Sequence, residues 1–79
     1  MTMNTPHTYE HNQASTSTIW TVTHNLNAAN SLAVDCWIDP SNGTNYDTKI
    51  IPLSVVPTSA TVLTITFSTA LKGRAMVAA

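Results

Sequence analysis

Charge is scarce in this chain. Three Lys and Arg and four Asp and Glu serve 79 positions, 9% of the whole, against about 25% in ordinary soluble domains. Lys49, Lys72 and Arg74 are the only fixed cations, too few for the phosphate neutralisation on which nucleic-acid affinity rests. A polybasic membrane patch is excluded on the same ground. Cys36 is the single cysteine, so no disulfide can form within this sequence. No apolar run approaches the roughly 18 residues of a membrane helix. The opening stretch MTMNTPHTYEHNQ has neither the basic nor the apolar region of a signal peptide. Synthesis in a cytoplasm, without export, is the expectation.

In place of charge the chain carries 14 Thr, 7 Ser and 7 Asn. Threonine favours strands, and Asn and Ser favour turns. The composition points to an all-β protein before any periodicity is counted. A chain of 79 residues buries only about 60–65% of its unfolded surface. Without a disulfide, partner subunits are the natural supplement to its small core.

Period-two alternation marks six short strands, the signal of half-buried sheet. The first, HTYEHNQ at 7–13, is weak and belongs to a polar N-terminal arm over 1–16. The second runs over 18–25, with Trp20, Val22 and His24 on one face. In LAVDCWID (32–39), Leu32, Val34, Cys36 and Ile38 form the core face, opposite Asp35, Trp37 and Asp39. DPSNGT (39–44) closes a hairpin, with Pro40 suited to a type I turn and Asn42-Gly43 to positive φ. KIIPLSVV (49–56) aligns Lys49, Ile51, Leu53 and Val55 on one face. Pro52 cannot donate to a ladder, which places this strand at an edge or on a bulge. TVLTITFS (61–68) aligns Leu63, Ile65 and Phe67; TALKG (69–73) turns; RAMVA (74–78) closes. The expected architecture is a small antiparallel β-sandwich or barrel of about six short strands, with its domain at 17–79.

Reactive chemistry is thin. His7 and His11 are four residues apart, about 13 Å along a strand and too far for one ion. Asp35 and Asp39 are spaced likewise, wider than the roughly 5–9.5 Å of glycosidase pairs. No phosphate loop, nucleophile elbow or Cys/His signature is present. Cys36 alternates with apolar residues and reads as a core thiol. No catalytic residue, cofactor or metal site is expected, and the chain is not expected to be an enzyme. Trp37, with Asp35 and Asp39 beside it, is a candidate interface or ligand surface, joined by Tyr9. An exposed Trp with acidic neighbours could stack on a sugar; large exposed apolar residues more often mark protein contacts.

Three stretches carry a family resemblance. YEHNQASTSTIWTVTHNL ends in W-x-[IV]-x-H-N-L. VDCWIDPSNGT is similar to a V-x-V-x-D-x-x-G hairpin. TVLTITFSTALKGRAMV is similar to a T-V-T-I-T-F-S ending followed by G-K-A-x-V. Over roughly residues 8–79 the chain resembles a small β-sandwich module of tailed-bacteriophage virion proteins. Trp20, His24, Asn25, Leu26, Phe67 and Gly73 match its signature. Asn27 stands where the family has Gly, NAANSL replaces a Tyr-Pro-type segment, and Arg74 replaces Lys, so the loop after the second strand is remodelled. The resemblance implies a structural virion role without catalysis. The leading expectation is a capsid decoration (cement) protein, made in the host cytoplasm. It would act as a homo-oligomer, with a trimer favoured, bridging the major capsid protein or another virion protein. The rival is a tail-fibre or tail-associated attachment module that binds a receptor or glycan. His24, in phase with Trp20 and Val22, is expected to pack or cap at the strand end.

Overall fold

The computed structural model describes residues 8–27 and 32–79. It is all-β, with five antiparallel strands: β1 (Thr8–Thr23), β2 (Ala33–Ile38), β3 (Thr48–Ile50), β4 (Ser54–Pro57) and β5 (Val62–Ala78). β5 is the central strand. β1 pairs along one of its edges, from Thr8 opposite Ala78 to Thr23 opposite Val62. The other edge is shared: β4 pairs with Leu63–Thr66 and β2 with Gly73–Ala78. β3 extends the sheet beyond β2.

Two long strands thus replace four of the six expected short ones. The supposed connections at 14–18 and 69–73 are bends within β1 and β5. Thr8–Thr16, expected in an arm, lie in β1; residues 1–7, and 28–31 of the loop expected at 27–31, fall outside the described residues. The bends come from mismatched advance along the pair. From Gln13 to Ser17, β1 moves four residues while β5 moves only from Gly73 to Leu71. From Ser17 to Ile19, β1 moves two residues while β5 moves from Leu71 to Thr66. Such bulges bend and twist a ribbon. They also switch the inward phase of β1, from Tyr9, His11 and Gln13 to Trp20, Val22 and His24. That broken period is what resembles a turn in the sequence.

The bend folds the sheet over its own core. His11 and Trp20, both on β1, face each other with ring centroids 6.1 Å apart. Trp20 meets Phe67 edge-on at 4.6 Å, and its Nε1–H donates to the Leu71 carbonyl (3.0 Å). Val22, Leu63 and Ile65 from one half and Cys36, Ile38, Ala75 and Val77 from the other complete the buried core. Burial of each larger side chain contributes about 1.5–3 kcal/mol before entropy is counted.

Pro52 acts as a phase breaker. The Leu53 N–H donates to the Thr66 carbonyl (2.8 Å), although Ser54 is the partner of Thr66. Two residues therefore oppose one. Across this bulge the core face passes from Ile50 to Val55, and the expected alignment of Lys49, Ile51, Leu53 and Val55 survives only at Val55. Ile51 and Leu53 point to solvent, 92% and 70% exposed.

With two glycines in 79 residues, asparagine takes the left-handed positions: Asn25 (φ 55°), Asn27 (φ 56°) and Asn42 (φ 60°). Asn tolerates this region better than most residues. Asn42 alone carries the positive φ expected of Asn42-Gly43. Gly43 serves close approach instead: a Cβ there would sit 2.5 Å from Asp39 Oδ2. The Asn42 N–H to Asp39 carbonyl bond (2.8 Å) closes the turn over Pro40.

Candidate functional site

β1 ends at the signature motif. The N–H groups of His24 and Asn25 both donate to the Thr61 carbonyl (2.9 and 3.2 Å). Asn25 then leaves the strand through its positive φ. The His24 ring is buried, and its Nδ1 accepts the Leu26 N–H (3.0 Å). A neutral ring that accepts at Nδ1 carries its proton on Nε2; no partner faces Nε2 among the described residues. Trp20, Phe67 and Gly73 meet in the core. This cluster packs the end of β1 against the core.

The four candidate surface residues do not form one site. Tyr9 opposes Val77 and shares the inward phase of β1. Trp37 opposes Arg74 on β5 and Lys49 on β3, on the outward face. Asp35 shares that face, but its carboxylate pairs with Lys49 (3.1 Å). Arg74 reaches Glu10 (3.7 Å) and the Tyr46 carbonyl (3.4 Å). The half-buried Trp37 thus lies between two cations, of which the hairpin read in the sequence brings Lys49 near but not Arg74. Such exposed pairs contribute about 0–1 kcal/mol each.

Asp39 is committed elsewhere. Its Oδ1 accepts from the Ser41 N–H (2.9 Å) and Ser41 hydroxyl (2.7 Å), and its Oδ2 from the Asn45 N–H (3.1 Å). The Ser41 hydroxyl foremost, then these backbone donors, hold the carboxyl below its ordinary value of 3.8. The sign follows from linkage: a depressed carboxylate stabilises above its unfolded pKa and loses that contribution as pH falls through the folded one. Acidification below pH 3.8 should therefore loosen the 39–45 turn. Amide exchange at Ser41 and Asn45 should accelerate there ahead of the β5 amides. Cys36 is shielded: burial first, then the Asp35 carboxylate, pushes its thiol up to about 11. It is a free thiol packed in the core, and burial of this kind disfavours the reactive thiolate.

Charge is divided unevenly between the two outer faces. Glu10, Asp35, Lys49 and Arg74, four of the seven charged residues, share the face centred on Trp37. The outer face of the other half presents Ile19, Thr21 and Thr23 on β1, Thr64 and Thr66 on β5, and Val56 on β4, with no charge among them. Ile19 and Val56 are each about half exposed. No group of three metal-ligating side chains occurs among the described residues. Comparisons with protein families, characterised proteins and solved structures return no match to this chain. The fold is that of a small all-β module of five antiparallel strands.

Proposed function

We propose that the protein is a non-enzymatic structural component of a tailed-bacteriophage virion, a capsid decoration protein that stabilises the shell by bridging neighbouring major capsid subunits. The observation that carries this reading is the uncharged outer face of Thr, Ile and Val, together with the exposed Ile51 and Leu53 elsewhere on the surface. Such a surface packs on protein without stripping water from charges, and exposed apolar groups of this kind mark contact surfaces. The resemblance of the W-x-[IV]-x-H-N-L and T-I-T-F-S stretches to a virion module supplies the setting. Labelled protein added to particles and imaged in the electron microscope tests it. Density over the icosahedral shell supports decoration. Density confined to the tail overturns it in favour of host attachment, for which glycan binding lost in Trp37→Ala would be the sign.

A further inference from the structure

The open hydrogen-bonding groups of this sheet are concentrated at one edge. β3 is three residues long and is followed by Pro52; β4 is four residues long and ends in Pro57. Short strands and prolines are devices that blunt an edge. β1 is sixteen residues long, contains no proline or lysine, and its second edge pairs with no strand among the described residues. Its middle is sealed by its own side chains. The Gln13 side-chain amide donates to the Ser15 carbonyl (3.0 Å). The Ser17 hydroxyl accepts the Ile19 N–H (3.2 Å) and donates to the Ile19 carbonyl (2.9 Å).

Backbone direction identifies what is left open. The Thr66 carbonyl faces β4, where it accepts the Leu53 N–H. In an antiparallel strand N–H and C=O of one residue point the same way, and the direction alternates. Ile65 therefore faces β1, its partner Trp20 faces β5, and Thr21 and Thr23 turn their backbone groups outward. These two residues present four unsealed groups. Their side chains lie on the uncharged face, in ladder with Thr64 and Val62. Self-pairing of the earlier stretch, Thr8–Gln13, would instead bring Glu10 toward its own copy, and like charges across a ladder are unfavourable.

We propose that Thr21–Thr23 is the docking edge for the same segment of a second copy, paired antiparallel about a two-fold axis at Val22. Thr21 then opposes Thr23 of the other copy, both pairs exchange two hydrogen bonds, and β4–β5–β1 continues as one six-stranded sheet across the axis. A ring of three would need a second open edge on each subunit; β3 and β4 are short and proline-flanked, which leaves only Thr8–Gln13, where Glu10 would be set against the uncharged face of the next copy. The edge geometry thus favours a two-fold assembly over the three-fold one expected from the sequence. The pairing is independent of the virion reading: a dimer that never binds a particle would sink only that reading.

Charge placement tests the register. Thr21 and Thr23 are exposed, so charged side chains are tolerated by the monomer. Thr21→Lys with Thr23→Lys sets lysine against lysine at both pairs and should weaken the dimer roughly tenfold. Thr21→Lys with Thr23→Glu sets lysine against glutamate and should restore it. Sedimentation equilibrium reads the constants. Amide exchange of Thr21 and Thr23 in the unmodified protein should slow as concentration rises. A protein that stays monomeric or forms trimers overturns the proposal. So does a dimer that responds equally to both double variants, or one in which these amides remain unprotected.

Discussion

Trp20→Ala should leave a chain without a cooperative thermal transition. The ring touches both halves of the bent sheet, meeting Phe67 at 4.6 Å and His11 at 6.1 Å. Truncating a buried aromatic costs about 3–5 kcal/mol. The Leu71 carbonyl would also lose its donor, which adds about 1 kcal/mol. Whole domains hold only about 5–15 kcal/mol, and short chains sit at the low end. Trp20→Phe separates the two contributions: it keeps a ring in the core and removes the donor, so its melting point should fall between the other two. Circular dichroism melts of the three proteins decide the matter. A Trp20→Ala melt within a few degrees of wild type would show that the halves close without this anchor.

Gly73→Ala should be nearly as damaging, for a reason of space. The residue has no left-handed φ, so its backbone would accept a side chain. A Cβ there would lie 2.2 Å from the Trp37 carbonyl oxygen, 3.0 Å from Ile38 Cγ2 and 3.2 Å from Trp20 Cη2. The nearest of these is backbone of the neighbouring strand and cannot swing away. β2 must separate from β5, or the indole must shift. The expected loss is about 2–4 kcal/mol in urea unfolding. Gly43→Ala is the control: its closest neighbour is the end of the Asp39 side chain rather than backbone, so yielding strains exposed hydrogen bonds to Ser41 and Asn45 and no strand pairing, and the loss should stay near 1 kcal/mol. Equal losses at the two glycines would contradict this account.

Much of the core was legible because its residues follow period two without interruption. Trp20, Val22 and His24, and then Leu63, Ile65 and Phe67, keep step along single strands, and a buried face imposes that step. The continuity of β1 and β5 was hidden. ASTST and TALKG carry turn-like composition and sit where the period breaks, and a bulge breaks the period as a turn does. The split at Pro52 was half visible: the missing donor predicts an edge or bulge, but the slip that turns Ile51 and Leu53 outward depends on Thr66, a distant residue. The surroundings of Trp37 needed longer reach. Lys49 follows from the hairpin, whereas Arg74 is beside Trp37 only because β5 inserts between β1 and β2. Asp39, read as a flank of Trp37, is drawn into its own turn by Ser41 and Asn45.

The central place of β5 also sets the order of events during folding. β1, β2 and β4 all pair with it, and β1 meets it across separations that run from Thr23–Val62 to Thr8–Ala78. Only β2–β3 and β4–β5 can close locally; the second is helped by Thr58 and Ser59, whose N–H groups both donate to the Val62 carbonyl (3.0 and 3.2 Å). Everything else waits on a loop of about half the described chain or more, and the entropy of that closure is lost before its contacts are gained. Folding should accordingly be slow for so small a protein, on the millisecond-to-second scale of all-β topologies. During that interval β1 is a sixteen-residue strand with two bare edges instead of one. The window in which the chain can pair with the wrong neighbour is therefore kinetic, and it closes when β1 docks.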